Sequence, residues 1–210
     1  MEQQYVLSID TELSDKIMRF DLPHTRLDKW PFLVQVAWCI YDSRQQLVKT
    51  ANYFIGDHDF RISRTAGRIH GIDGSFLRMN GSDRVVAMEN LLADVLAYEP
   101  LIVGHFVELD YHILTVECLR AGLQPPFQSS SLLCTMTASK PLNKNPNRTY
   151  LSLPDLYLAL FNKQLAANHE AQADALATAA CYFEMGKTGL LDSKADAKNG
   201  THFDLVAQKR

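Results

Sequence analysis

Two β-rich runs, FLVQVAWCIY over 32–41 and QLVKTANYFI over 46–55, are joined by only four residues, DSRQ. A connection this short permits an antiparallel pair and excludes a parallel one, which needs a crossover of a dozen residues or more. Asp42 and Ser43 supply the turn chemistry. A shorter apolar run, QYVLSI over 4–9, precedes the pair, so the start of the chain reads as a three-stranded antiparallel meander. The periodicity then changes. After Ser82 and Asp83, VVAMENLLADVLAY carries apolar residues at i, i+3 and i+4, the spacing of an amphipathic helix. PLIVGH (100–105) reads as a short buried strand and ELDYHILTVECLRAG (108–122) as a helix stopped at Gly122. SLLCTM (131–136) reads as another strand, and LSLPDLYLALF (151–161) and ADALATAACYFEM (173–185) as helices. A meander followed by strand–helix alternation predicts an α/β fold with a mixed sheet. Residues 139–150 (SKPLNKNPNRTY) form a polar, basic loop. Residues 1–190 read as one domain and 191–210 as a polar C-terminal tail.

Hydrophobic residues make up 47% of the 210, enough for a core, and the net charge of −3 gives no global signature of nucleic-acid binding. The four cysteines, Cys39, Cys118, Cys134 and Cys181, are scattered without a C-x-x-C pair and read as reduced thiols of a cytoplasmic protein. The first residues, Met1, Glu2, Gln3 and Gln4, lack the cationic and apolar regions of a signal peptide. No apolar run approaches the roughly 18 residues of a membrane span.

The first strand ends in Asp10, Thr11, Glu12. Side chains at i and i+2 of a strand share a face, so the two carboxylates can project together. Carboxylates held close repel one another unless a cation lies between them, which suggests an oxygen site for a hard divalent ion. A solvated strand end fits the tripeptide equally. Two later segments add to it. Asp110 falls near the start of a helix after the buried strand that runs into His105. His169 precedes Asp174 by five positions. Five residues of continuous helix turn through about 500°, so these two converge only if His169 lies in a loop and Asp174 in the first helical turn. Taken singly, Asp110 and Asp174 also fit ordinary first-turn acids, and His169 a solvated loop histidine.

The order of these pieces, D-x-E, then Asp110, then H-x-x-x-x-D, resembles the DnaQ-like exonucleases of the DEDDh type over roughly residues 5–187. The segment RIHGI at 68–72 adds to the resemblance. It implies a ribonuclease-H-like fold, a five-stranded mixed sheet flanked by helices. It further implies two Mg²⁺ or Mn²⁺ ions held by Asp10, Glu12, Asp110 and Asp174, with His169 as general base. The implied reaction is stepwise release of nucleoside monophosphates from the 3′ end of single-stranded DNA or RNA. An RNA-trimming or oligoribonuclease-type enzyme, or a slow or inactive nucleic-acid-binding relative, are the other readings. Substrate contacts are expected from Thr11, Leu13, His70, Gly71, Ile72, His105 and Phe106. The resemblance is compatible with a chain acting alone, as a homodimer or docked on a polymerase.

The sequence departs from the family pattern in two places. Leu13, Ser14 and Asp15 stand where Thr-Thr-Gly is usual, and Phe106 stands where the second motif carries Asn. The stretch from Ser14 to Pro31 is long and carries no familiar pattern. Arg61, Arg64 and Arg68, and Lys140, Lys144 and Arg148, form two basic clusters that fit either phosphate contacts or solvated surface.

Overall fold

A computed structural model describes residues 5–56, 60–127, 129–165 and 169–191, and the backbone of 198–199. At its centre β1 (Val6–Leu13) lies between β2 (Leu33–Tyr41), paired antiparallel, and β4 (Leu101–Gly104), paired parallel. β3 (Leu47–Phe54) extends the sheet antiparallel beyond β2, and β5 (Ser131–Cys134) extends it parallel beyond β4. The order β3-β2-β1-β4-β5 is the five-stranded ribonuclease-H-like sheet that the resemblance implies. A two-residue β6 (Lys198–Asn199) pairs antiparallel with the outer edge of β5, so the tail contributes a sixth, minimal strand.

The alternation of β1 divides the molecule. Leu7 and Ile9 face a core built with α3 (Arg84–Tyr98) and α4 (Val107–Arg120), including Met88, Leu91, Ile113 and Leu114. Ser8 faces the other way, towards α7 (Ala171–Lys187), and its hydroxyl donates to the Ala175 carbonyl at 2.8 Å. Ala175 and Ala179 pack there against Cys39. Small residues let this helix lie close over the strand, and the even-numbered face of β1 continues as Asp10 and Glu12.

Among the described residues four shorter α-helices are α1 (Arg64–His70), α2 (Gly74–Asn80), α5 (Thr135–Ala138) and α6 (Leu153–Phe161). The first two lie in a stretch with no readable helical period. Each is only seven residues long and is defined by its caps: Ser63 accepts from Ala66 N at 3.2 Å and Asp73 from Phe76 N at 2.8 Å. Gly71 closes α1 with φ of 72°, a left-handed conformation that glycine adopts without penalty.

Several boundaries differ from the sequence reading. β1 carries Asp10, Thr11 and Glu12, as read, and runs one residue further to Leu13, because these residues keep their register with Ala37, Val36 and Gln35, and backbone pairing is indifferent to side-chain polarity. β5 stops at Cys134, and Thr135 and Met136 turn into α5. The stretch from Ser14 to Pro31 is pinned rather than loose. Arg120 donates to the carbonyls of Leu27, Trp30 and Pro31, at 2.7, 2.8 and 2.9 Å. The buried Glu117 pairs with Arg120 and with Arg84. His24, assigned no role from sequence, meets His112 with ring nitrogens 2.7 Å apart beside the buried Trp30. His58 and His202 lie outside the described residues. The four cysteines are free, three of them buried. Among the described residues no helix is long and apolar enough to cross a membrane.

Candidate active site

Asp10 and Glu12, both half-buried, project from the end of β1 onto the side covered by α7. Asp174 sits in the first turn of α7, while His169 precedes the helix with φ of 39° and is exposed. The geometric condition for convergence is therefore met: a nitrogen of His169 and oxygens of Glu12 and Asp174 all lie within 4.8 Å of one another. Asp110 arrives from the opposite layer, in the first turn of α4, where it is buried. Thr11, on the odd face of β1, donates its hydroxyl to Asp110 Oδ1 at 2.7 Å. That bond ties the strand to α4 and gives Thr11 an orienting place beside the acid.

The carboxylates register one another. Burial pushes the Asp10 carboxyl well above its ordinary range, and Asp110, Glu12, Asp174 and Glu170 push it further. Glu12 rises to about 8, from burial and then from Asp174, Asp110 and Glu170. Asp110 rises to about 7 through burial, although the Thr11 hydroxyl stabilises its anion. Burial also raises Asp174, while His169 holds it down. Four carboxylates and an imidazole crowded at one sheet end form an oxygen-rich donor set of the kind that suits Mg²⁺ or Mn²⁺. A dication would relieve the repulsion that now favours protonation.

Glu170 was not singled out from sequence. It is the N-cap of α7, accepting from Gln172 N at 3.3 Å and Ala173 N at 2.9 Å. Its Oε1 also accepts from Gln35 of β2 at 2.5 Å and from Asn52 of β3 at 3.3 Å. The cap thus clamps the start of the helix carrying Asp174 to two strands. The local signal was a carboxylate just ahead of a helical run; its partners, more than 100 residues away, were not readable.

The remaining expected substrate contacts divide. His70 is buried; its Nδ1 accepts from Ile72 N at 3.0 Å, so Nε2 carries the hydrogen offered to the Leu13 carbonyl at 3.2 Å. The HGI segment is thereby fastened to the residue after Glu12, and burial lowers the His70 imidazole below its ordinary pKa. Gly71 is exposed, and Ile72 is buried with Val34 and Leu77. Leu13 is half-buried against the main core. His105 has both ring nitrogens engaged, with Thr135 Oγ1 at 3.0 Å and the Leu151 carbonyl at 3.1 Å, and burial lowers it to about 4. Its ring braces the end of β4 and has no nitrogen left for a ligand. Phe106 heads α4 with φ of 77°, and its ring lies 5.7 Å from Phe20. A left-handed conformation suits Asn far better than Phe, so the residue that departs from the family pattern occupies the position where the usual one has a backbone reason.

Comparison with known structures places the fold. Escherichia coli exonuclease I, solved in complex with a dA16 oligonucleotide, superposes with a TM-score of 0.72 at 20% identity over 90% of this chain and 42% of that one. The zinc-bound exonuclease I–ssDNA complex gives 0.72 at 19%, covering 89% and 41%. The structure described as suggesting how processivity is achieved gives 0.71 at 19%, covering 90% and 42%. The chain spans less than half the length of these proteins. A search of curated protein sequences finds no significant match. Residues 20–182 match the RNase T exonuclease family. That stretch holds Asp110, His169 and Asp174, and the fold supplies the strand with Asp10 and Glu12. The chain belongs to this DnaQ-like exonuclease family.

Proposed function

We propose that this protein is a metal-dependent 3′→5′ exonuclease that hydrolyses the terminal phosphodiester of a single strand and releases nucleoside monophosphates. The observation that carries the reading is the meeting of Glu12, His169 and Asp174 within 4.8 Å, with Asp10 and Asp110 adjoining, in a chain of an exonuclease family. DNA is the first substrate class, because the exonuclease I structures similar in fold hold deoxyoligonucleotides.

Asp10, Glu12, Asp110 and Asp174 would hold the ions. When bound, Mg²⁺ or Mn²⁺ supplies Lewis-acid stabilisation of charge on the attacking and leaving oxygens. The chain supplies the rest. His169, exposed and outside the helix, takes the proton of the attacking water, a role that imidazole can fill near neutral pH. Thr11 fixes the rotamer of Asp110 through its 2.7 Å bond. Glu170 fixes the first turn of α7 and so the separation between His169 and Asp174.

End-labelled DNA and RNA strands incubated with and without Mn²⁺, with products resolved by length, test the reading. Ladders shortening from the 3′ end only with metal are the expected result. Internal cuts, shortening from the 5′ end, or equal hydrolysis in chelator would overturn it.

A further inference from the structure

Beyond the acid centre, the described surface holds a groove of about 970 Å³ along α1 and α2. Arg61, Arg64, Arg68 and Arg78 line it, with Phe60 and Ile72. All four arginines are exposed. Among the described residues, Arg61, Arg64 and Arg68 form no ion pair, and Arg78 reaches only Ser75 Oγ at 3.2 Å. The carboxylate at the groove, Asp73, is turned to cap α2. Arg64 and Arg68 are four residues apart on a seven-residue helix, a spacing at which like charges repel and weaken the helix. Among the described residues lining the groove, four arginines stand against one carboxylate, Asp73, and an excess of cations around one concavity makes a receptor for an anion.

The groove is joined to the acid centre by the backbone. Ser63 N, at the head of α1, donates to the Ser14 carbonyl at 2.8 Å, and His70, at its foot, donates to the Leu13 carbonyl at 3.2 Å. Both anchors fall within two residues of Glu12, so the groove begins where β1 ends. One wall is aromatic: Phe60 stacks on Phe32 with centroids 4.9 Å apart and ring planes inclined by 12°. Cationic side chains beside an aromatic ring are what a single strand requires, phosphates for the first and a base for the second.

We infer that this groove holds the substrate strand on the 5′ side of the nucleotide being removed, its arginines on successive phosphates and Phe60 against a base. The inference rests on the exonuclease reading for its substrate, and it makes a separate claim about strand length. A substrate with a single nucleotide engages only the acid centre, whereas a longer strand gains the groove.

The test compares the wild type with Arg61→Ala/Arg68→Ala and with Arg61→Lys/Arg68→Lys. Binding of a 5′-labelled deoxyoligonucleotide of about 12 residues is followed by anisotropy in chelator across a salt series. Hydrolysis of the same strand and of the p-nitrophenyl ester of thymidine 5′-monophosphate is measured with Mn²⁺. The alanine variant should lose about 0.7 of log–log salt slope per phosphate contact, about 1.4 in all. The ratio of kcat/KM on the strand to that on the ester should fall about tenfold, and the lysine variant should keep most of both. An unchanged slope, or strand and ester activities falling together, would overturn the groove's role. If the wild type hydrolyses neither substrate, the exonuclease reading fails while the salt slope still decides the groove.

Discussion

The acid centre and the arginine groove lie side by side and carry opposite charge in opposite surroundings. Asp110 is buried, Asp10, Glu12 and Asp174 are half-buried, and their proton affinities climb, Glu12 to about 8 and Asp110 to about 7. The arginines of the groove stay exposed, where a like-charge pair costs only a few tenths of a kcal/mol. Crowding charges out of water is far more costly, of the order of several kcal/mol. Such a centre persists in a folded chain when its work depends on the crowding, as metal-assisted hydrolysis does. The groove can be exposed because holding a flexible strand needs only charge and a flat ring. On the proposed function the centre would carry the chemistry and the groove the grip, and substitutions in the two should differ in size and kind.

The largest effect is expected at the centre. Asp10→Ala with Glu12→Ala should lower Mn²⁺-dependent mononucleotide release by about 10³-fold or more, the scale of several kcal/mol of lost charge stabilisation. Loss comparable to that of the groove variant would erase the distinction. His169→Ala should reduce turnover by about 10²-fold or more while leaving the Mn²⁺ concentration for half-maximal activity nearly unchanged. A shifted metal requirement with retained turnover would make His169 a ligand instead.

Next comes pH. A carboxyl with a raised folded pKa stabilises the fold fully below its unfolded value, 4.5 for Glu12, and loses that contribution as pH rises through about 8. Metal-free protein should therefore lose on the order of a few kcal/mol between about pH 5 and 8, read from thermal or urea unfolding. Mn²⁺ should flatten the loss, since the cation takes over the role of the protons. A metal-free profile that rises over this range would mean that the acids are not crowded in solution.

Smaller still is the clamp on α7. Glu170→Ala removes a helix cap worth about 1 kcal/mol together with its bonds to Gln35 and Asn52. Unfolding should register that loss, and turnover should fall as Asp174 loosens. The smallest change is expected from Arg148→Ala. Arg148 belongs to the second basic cluster but pairs with Asp155 at 2.9 Å. Its removal should leave the salt dependence of strand binding close to wild type, in contrast to Arg61 and Arg68. A large drop in slope would move the strand's path to the 139–150 loop.

The chain order of the acids was legible because each belongs to a short local pattern: a carboxylate pair on one strand face, Asp110 at a helix start, and a histidine five residues before Asp174. The strand and helix identities followed from periods of 2 and 3.6, which the long segments show clearly. Where local patterns are weak, the sequence says less. The apolar run stops at Ile9, but the strand carries Asp10, Thr11 and Glu12 as their alternation implies and ends one residue later at Leu13. α1 and α2 carry no period and exist through capping, a glycine and contact with the rest of the fold. His105 is expected as a substrate contact by its place in the second motif, and the local sequence does not reveal that Thr135 and Leu151, distant along the chain, engage both nitrogens of its ring.

By itself the sequence determined the meander, the alternation after it, the family pattern and the identity of the acids. These depend on neighbours within a few residues, and side-chain direction along a strand or helix follows from backbone geometry alone. Only the tertiary structure decided that Thr11 serves Asp110, that Glu170 ties α7 to β2 and β3, and that four arginines line one groove beside the end of β1. Each of those is a meeting of segments far apart in the chain, fixed by packing an alanine-rich helix on one sheet face and α4 on the other, and no local period encodes it.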